Sequence, residues 1–215
     1  MQKTTGILSK LSLLTLLLLP ALLVQLASQS EIVISLSSTV QSHLPLYLVV
    51  LLILKTSSIV YPPLPGVVLT LASIPLIGWE RAYFIDITGS TIGATISFFL
   101  GKKYGSSILT RVIGKSLADK IVSVKLKQKN QIEAAIFLRF ASGGMLSDGL
   151  AWGASLIGFK YPPFIIGYVI SHVITTLPVF YLVAASISFD SWIVVASVAI
   201  LAWFIIFKFK GRYFE

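Results

Sequence analysis

The chain has 215 residues, of which 56% are hydrophobic and 12% are charged, whereas a soluble domain typically carries about 25% charged residues. It contains no cysteine, eight acidic residues and two histidines, which excludes disulfide scaffolds and thiol catalysis and disfavours a carboxylate-rich metal centre. The composition predicts an all-α polytopic membrane protein. The net charge of +9 therefore first raises the question of which side of the membrane the basic residues occupy.

Four segments are predicted to cross the bilayer fully, because a hydrocarbon core of about 30 Å needs about 20 mostly apolar residues in a helix. In chain order they are residues 11–27, 82–101, 164–186 and 192–207. The first also resembles a secretory signal peptide, since lysines precede its leucine-rich core and small residues follow it. We interpret it as an uncleaved signal-anchor, which keeps the amino terminus inside.

Two further apolar regions, 44–79 and 134–159, are each broken in the middle by proline or glycine. The residues at the breaks are Pro62, Pro63, Pro65 and Gly66 in the first region and Gly143 and Gly144 in the second. Each half is then only about 11–13 residues long, too short to cross, and the break frees backbone groups that lipid cannot satisfy. We predict re-entrant helical hairpins, with Lys55 ending the first half-helix. A kinked span or a pair of core helices is the alternative.

Basic residues predict the orientation of these elements. Most of the 17 Lys and Arg residues fall in the amino terminus, in segment 102–131 or in the carboxyl-terminal tail. The positive-inside rule places all three in the cytoplasm, which requires an even number of crossings between them. Four spans satisfy this condition if hairpin 44–79 opens outside and hairpin 134–159 opens inside. The loop 102–131 is expected to lie on anionic lipid head groups, not on nucleic acid.

An internal repeat favours opposite orientations for the two hairpins. Residues 77–85 and 157–165 share Ile, Gly, an aromatic residue, Phe and Ile at a constant offset of 80, and each copy joins a hairpin to a full span. Inverted repeats with broken helices are a recurrent transporter architecture. The predicted parts of the chain are residues 1–43 (signal-anchor and outer loop), 44–186 (two hairpins and two spans) and 187–215 (last span and basic tail).

Three stretches of the 44–186 domain resemble the DedA family, also called the VTT or SNARE-associated Golgi family. Residues 61–66, Tyr-Pro-Pro-Leu-Pro-Gly, are similar to the proline-rich tip of that family's first re-entrant loop. Residues 92–105 resemble its glycine-rich helix, which ends in a basic residue and glycine. Residues 137–140, Phe-Leu-Arg-Phe, resemble the Arg-Phe that opens the second re-entrant loop.

The resemblance implies a membrane lipid translocator. Bacterial members are linked to recycling of undecaprenyl phosphate and other anionic lipids and depend on the proton-motive force, and eukaryotic relatives scramble phospholipids. This chain departs from the bacterial pattern, since Val67 and Ala94 stand where acids are frequent and Ser142 stands where proline is common. The missing acids leave open whether proton coupling follows the bacterial scheme. The Gly-Ala form is closer to the Tvp-type branch.

Ionisable side chains at membrane depth cost roughly 2.5–3.5 kcal/mol each on insertion scales, so the few that remain are candidates for function. Arg139 offers a planar guanidinium suited to a phosphate head group, and the amides of Gly143 and Gly144 could add donors. The alternative is an interfacial arginine that snorkels to lipid phosphates. Asp148 could pair with Arg139 or Lys55, or take a proton, and is otherwise an Asx turn.

Other candidates lie on or beside the predicted spans. Lys55 could pair with an acid or bind phosphate, and otherwise it is a cation favoured by the helix dipole. Asp86 could replace the missing acids as a proton acceptor, or else pair with Arg81 or face water at the interface. His172 could titrate near neutrality, but we interpret it as a packing residue. Small residues at four-residue spacing predict close helix packing, and these are Gly89, Gly93 and Ser97.

The expected partners are membrane lipids with anionic head groups, and no cofactor or metal is expected. No motif of a hydrolase, a P-loop protein or a zinc protease occurs, so no enzymatic activity is predicted. The leading hypothesis is a lipid flippase or scramblase in the plasma membrane with both termini in the cytoplasm. The alternatives are a proton-coupled transporter of a small ion or solute, and a non-transporting protein of membrane integrity. The oligomeric state stays open, a homo-oligomer included.

Overall fold

The computed structural model describes residues 30–61, 64, 66–123, 126, 130–142 and 151–187. Within these ranges the chain is helical and contains no strand, as the composition predicted. The predicted spans 11–27 and 192–207 lie outside the described residues. So do several predicted site residues, namely Pro62, Pro63, Pro65, Gly143, Gly144 and Asp148.

The helices follow one another with short connections. In chain order they are α1 (Glu31–Ser42), α2 (Leu44–Val60), α3 (Gly66–Ala72), α4 (Ile74–Ile77), α5 (Trp79–Ile113), α6 (Lys115–Val122), α7 (Gln131–Ser142) and α8 (Tyr161–Ile187). Residues 151–154 add a further short helical segment.

Two helices are long and apolar enough to cross a membrane. They cover Trp79–Ser107 in α5 and Tyr161–Ala185 in α8, which contain the predicted spans 82–101 and 164–186 to within one residue. Helices α1 and α2 together give a third span only if their 105° bend is counted as a break within one span. The part of the chain that the structure describes therefore supports two or three crossing helices.

Two segments that were predicted as loops are largely helical. The end of the predicted outer loop forms α1, which begins where Ser30 Oγ accepts a hydrogen bond from the Val33 amide, a regular helix cap. The basic segment after residue 101 continues α5. Gly105 interrupts that helix with a φ of 71°, and Gly114 separates it from α6 with a φ of 83°. Positive φ is readily adopted only by glycine.

Helix α2 and the segment α3–α4 run antiparallel, as expected for the first hairpin. Tyr47 Oη lies 2.8 Å from Ser73 Oγ near the open end, and at the far end Gly66 packs against Ser58 with no room for a side chain. The prediction that Lys55 ends the first half-helix is wrong. Helix α2 continues five residues further to a length of 17 residues, about 26 Å at 1.5 Å per residue. It continues because the buried ammonium of Lys55 finds an acidic partner inside the fold.

The second hairpin region pairs with α8 in the same way. Helix α7 lies against α8 at Gly167, where a Cβ would come within 2.7 Å of both Ala135 Cβ and Ile132 O. The returning segment reaches the first hairpin, since Trp152 Nε1 donates to Val60 O at 3.1 Å. Val60 is the last residue of α2, where a helix carbonyl lacks an internal partner.

The two long helices are antiparallel, so the helices packed beside them, α2 and α7, also run in opposite directions. Phe98 of α5 stacks on Phe164 near the start of α8 at 5.2 Å, whereas Tyr83 near the start of α5 meets Phe180 at 5.7 Å. Helix α2 runs beside α5 in the same direction, and α7 runs likewise beside α8. Helices α2 and α7 therefore run in opposite directions along the α5–α8 pair.

The interior has two main apolar layers with polar residues between them. The layer near the start of α5 includes Leu51, Leu71, Ile77, Ala82, Ile85, Phe180 and Val183. The layer near the start of α8 includes Ile59, Ala94, Phe98, Ala135, Phe164 and Tyr168. The outward faces of α2, α5 and α8 are also apolar, with large exposed side chains such as Ile53, Phe84, Phe99, Ile170 and Ile174. An apolar exterior around a partly polar interior is typical of a helix bundle in a bilayer.

Candidate functional site

Four ionisable side chains from four different helices meet between the two apolar layers. Lys55 Nζ on α2 lies 2.7 Å from Asp86 Oδ1 on α5. The other carboxylate oxygen of Asp86, Oδ2, lies 2.8 Å from Nε2 of His172 on α8. His172 Nδ1 in turn lies 2.7 Å from Nη2 of Arg139 on α7. These four residues form one continuous line of contacts, which we call the polar chain.

Burial divides the polar chain into a closed part and an accessible end. Lys55 is 1% exposed, Asp86 0% and His172 2%, whereas Arg139 is only half-buried. A charge removed from water is tolerated when it is paired and hydrogen-bonded. Asp86 meets this condition, since Thr70 Oγ1 on α3 also donates to Oδ1 at 2.8 Å. Arg139 is therefore the least buried member of the polar chain.

Lys55 reaches Asp86 because the facing surface of α5 carries no side chain at Gly89. A Cβ at that position would lie 2.7 Å from Lys55 Cγ, in the path of the lysine side chain. One turn further along α5, a Cβ at Gly93 would lie 2.6 Å from Ile59 Cβ. The small residues of α5 thus lie against α2 and allow the close approach that brings the ammonium to the carboxylate.

The hydrogen-bond partners determine where His172 carries its proton. A guanidinium only donates hydrogen bonds, so Nδ1, the ring nitrogen that faces Arg139, must be the acceptor. Nε2 then carries the proton and donates it to Asp86, an assignment that follows from the two neighbours. The imidazole is neutral in this arrangement. Two cations and one carboxylate therefore leave the polar chain with one positive charge in excess.

An aromatic ring supports the accessible end of the polar chain. The guanidinium carbon of Arg139 lies 4.3 Å from the centroid of the Tyr168 ring, within the range of a cation–π contact. The same ring stacks on His172 with 6.1 Å between centroids and 15° between planes. Tyr168 is 3% exposed. Arg139 is thus held both by an imidazole nitrogen and by an aromatic face.

Thr70 and Tyr168 were not selected from the sequence. Tyr168 precedes His172 by four residues, so the two share one face of α8, and this spacing is the signal that could have identified it. Thr70 is an isolated hydroxyl in an apolar run. That signal is weaker because a helical threonine often bonds to its own backbone, as Thr70 also does to Gly66 O at 3.2 Å.

The structure brings together three of the charged candidates and adds a residue that was assigned to packing. Lys55 pairs with an acid, and that acid is Asp86. The alternative contact of Asp86 with Arg81 does not occur between these described residues: Arg81 is exposed and its Nη1 approaches Ile77 O at 3.5 Å. The interpretation of His172 as a packing residue is wrong, because both of its ring nitrogens have polar partners.

The remaining candidates have structural positions or fall outside the described residues. Gly66 begins α3 beside α2, and Ser97 Oγ donates to Ile59 O at 3.4 Å. Asp148, the predicted partner of Arg139 or Lys55, is one of the residues that the structure leaves out, as are the two glycines after Ser142.

The polar chain has the chemistry of an anion site rather than of a cation site. Its least buried member is Arg139, whose guanidinium carries a fork of N–H groups that matches a phosphate or carboxylate. Its single carboxylate is occupied by Lys55, His172 and Thr70. Among the described residues no group of three or more His, Cys, Asp or Glu side chains could hold a metal ion.

Comparison with known proteins places this architecture in a family. No curated protein and no solved structure matches the chain significantly. The family model of the VTT domain matches residues 64–185, more than half of the 215 residues. That match covers Thr70, Asp86, Arg139 and His172 and both long helices, so the chain belongs to the VTT-domain, or DedA, family of integral membrane proteins.

Proposed function

We propose that this protein is a lipid translocase that moves an anionic head group, such as a polyprenyl phosphate or an anionic phospholipid, across the bilayer. The observation that carries the proposal is the polar chain from Lys55 to Arg139, which ends in a guanidinium and lies between two apolar layers. The proposal includes a plasma-membrane location with both termini in the cytoplasm.

The guanidinium at the end of the polar chain supports an anionic ligand. An ionisable residue within a membrane helix is expensive to insert, and such residues usually mark a substrate or ion pathway. Lys55 is paired with Asp86 at 2.7 Å, whereas the guanidinium of Arg139 lies at the other end of the polar chain, beside a neutral imidazole. A guanidinium is suited to bidentate hydrogen bonds with a phosphate.

The opposite directions of α2 and α7 support a path across the membrane. Helices α2 and α7 run in opposite directions along the α5–α8 pair, and Trp152 of the second region contacts Val60 at the carboxyl-terminal end of α2. Discontinuous helices that meet near the midplane are where transporters of inverted repeats bind their substrates. We propose that both hairpins are re-entrant, and that the head group passes along them while the acyl chains stay in lipid.

The test measures lipid movement in liposomes that contain phosphatidylglycerol with a fluorophore on its acyl chain. A membrane-impermeant reductant bleaches one leaflet without translocation and both leaflets with it. Arg139→Ala is expected to slow bleaching of the second leaflet by about tenfold to a hundredfold, the value of a hydrogen bond to a charged group. Arg139→Lys keeps the charge but loses the fork, and an intermediate rate is expected.

The matched control is Arg81→Ala, which makes the same change at an exposed position of α5 and is expected to leave the rate unchanged. A folded Arg139→Ala protein with wild-type translocation would refute the proposal. Equal rates for phosphatidylglycerol and for labelled phosphatidylcholine would refute selection of an anionic head group, because the phosphatidylcholine head group carries no net charge.

A second candidate function is proton-coupled transport of a small anion. The contact between Asp86 and His172 favours it, since this is a titratable pair in an apolar interior. The same liposomes would then take up inorganic phosphate when a pH gradient is imposed, without moving labelled lipid. Lipid movement without phosphate uptake would exclude this candidate.

A further inference from the structure

The geometry points to His172 and Tyr168 as positioning residues for Arg139, with His172 able to hold the guanidinium only while its imidazole is neutral. This inference rests on the proposed role of Arg139 as the residue that binds the anionic head group. It adds that Arg139 is correctly placed only while His172 is neutral. Protonation of His172 would displace the guanidinium.

The Arg139–His172 contact requires a neutral imidazole. Nη2 of Arg139 donates to Nδ1 at 2.7 Å, which requires a lone pair on that nitrogen. A second proton on the ring would put an N–H on Nδ1, directly opposite the N–H of the guanidinium. The hydrogen bond would be lost, and two cations would face each other at contact distance.

Charged and aromatic groups from several helices surround His172. Asp86 contacts it from α5, Arg139 from α7 and Tyr168 from its own helix, and Lys55 of α2 lies on the far oxygen of Asp86. The carboxylate already receives Lys55 and Thr70 on Oδ1. A protonated His172 would add a third cation beside Lys55 and Arg139. Because Arg139 is the least buried of the four members of the polar chain, the repulsion is expected to displace its side chain.

Tyr168 contacts both Arg139 and His172. Its ring lies 4.3 Å from the guanidinium carbon and stacks on the imidazole, so it limits Arg139 to one orientation beside His172. A phenylalanine would preserve this face, whereas an aliphatic residue would not. An arginine with a fixed orientation binds an anion with less loss of side-chain freedom than a mobile one.

The experiment uses His172→Gln and His172→Leu in the lipid translocation assay, with the same buffer on both sides of the membrane. Glutamine can accept from Arg139 with its carbonyl and donate to Asp86 with its amide, but it does not titrate. Near pH 8 we expect His172→Gln to remain within about threefold of wild type and His172→Leu to fall at least about tenfold, the value of a hydrogen bond to a charged group.

The decisive readout is the ratio of the wild-type rate to the His172→Gln rate at different pH values. Between about pH 8 and about pH 4, a window that extends below the usual range of histidine, the ratio is expected to fall about tenfold because only the wild type loses its hold on Arg139. Parallel pH profiles for the two proteins would overturn the inference, and so would a folded His172→Leu protein with the wild-type rate.

A second pair of variants tests the aromatic contact. Tyr168→Phe is expected to stay within about threefold of wild type, whereas Tyr168→Leu is expected to fall about tenfold, consistent with loss of a desolvated cation–π contact. Equal rates for the two variants would contradict a role for the ring face. If Arg139→Ala translocates lipid as fast as wild type, the proposed function fails. If Arg139→Ala is slow while the pH profiles of wild type and His172→Gln coincide, only the positioning inference fails.

Discussion

At the residue scale, Asp86 is the centre of the candidate site. It is fully buried and has three polar partners from three other helices: Lys55, Thr70 and His172. In this buried site the local dielectric constant is low, so each contact has a larger effect than it would at the surface. The stability of the α2–α5 pair therefore depends on both members of the Lys55–Asp86 ion pair.

We expect Asp86→Asn to lower the free energy of unfolding by about 3–5 kcal/mol, because it leaves the ammonium of Lys55 buried without a counter-charge. The thermal unfolding midpoint of the detergent-solubilised protein measures this loss. Glu80→Gln, at an exposed position of the same helix, is the control and should have little effect. The double variant Lys55→Met/Asp86→Asn should recover much of the loss, and a double variant less stable than Asp86→Asn would contradict this account.

The sequence identified Lys55, Asp86 and Arg139 as candidates because ionisable residues are rare in this apolar chain. It did not reveal which of them pair, since Asp86 and His172 are 86 positions apart and nothing in their local surroundings indicates the contact. His172 was assigned to packing for the same reason. Thr70 and Tyr168 are common residue types in apolar helices, and only their contacts distinguish them.

At the element scale, the distance between α2 and α5 depends on glycines. A Cβ at Gly93 would lie 2.8 Å from Thr56 O, a backbone atom that cannot rotate away, and 2.6 Å from Ile59 Cβ. A side chain at this position requires the two helices to separate. Separation would also move Lys55, which lies one turn before Ile59, away from Asp86.

Gly93→Ala is expected to lower the free energy of unfolding by about 1–2 kcal/mol. Overpacking costs about 1–3 kcal/mol, and the better helix propensity of alanine returns up to about 1 kcal/mol. The unfolding midpoint in detergent measures the net change. Ile92→Ala, a substitution to the same residue on the exposed side of α5, serves as the control, and an unchanged or higher midpoint for Gly93→Ala would show that the helices do not pack this closely.

The lengths of the elements were only partly predictable. Both predicted spans fall within long helices, α5 and α8, because continuous apolar runs of this length have few other structures available. Both helices extend beyond the predicted bounds. Helix α2 is longer than predicted because Lys55 was taken as the end of an apolar run. The paired lysine is compatible with a helix interior, and the contact that makes it so lies outside the local sequence.

At the scale of the whole molecule, the orientation in the membrane follows from the basic residues near the carboxyl-terminal end of α5. Lys102, Lys103, Arg111 and Lys115 lie there, whereas α1 lies at the other end of the same helix, where Gln41 donates to Leu76 O at 2.7 Å. The positive-inside rule predicts that the basic end lies in the cytoplasm. We therefore expect α1 to lie on the external side.

This orientation can be tested directly, because the chain has no cysteine of its own. Ser106→Cys and Ser38→Cys each introduce one thiol at an exposed position near opposite ends of α5. In intact cells a membrane-impermeant maleimide is expected to label Ser38→Cys, and to label Ser106→Cys only after the membrane is opened. Labelling of Ser106→Cys alone in intact cells would show that the basic end of α5 lies outside, the opposite of the expected topology.

Composition and hydropathy by themselves determined that this is an all-helical membrane protein, where its two long described helices lie and which ionisable residues are candidates for function. These features are local, because helix formation and the avoidance of lipid by charge act on each segment separately. Only the tertiary structure decided that Lys55, Asp86, His172 and Arg139 form one polar chain with a neutral histidine inside it. Those pairings depend on the antiparallel packing of α5 and α8 and on the close approach of α2 at Gly89 and Gly93, which bring together residues far apart in the sequence.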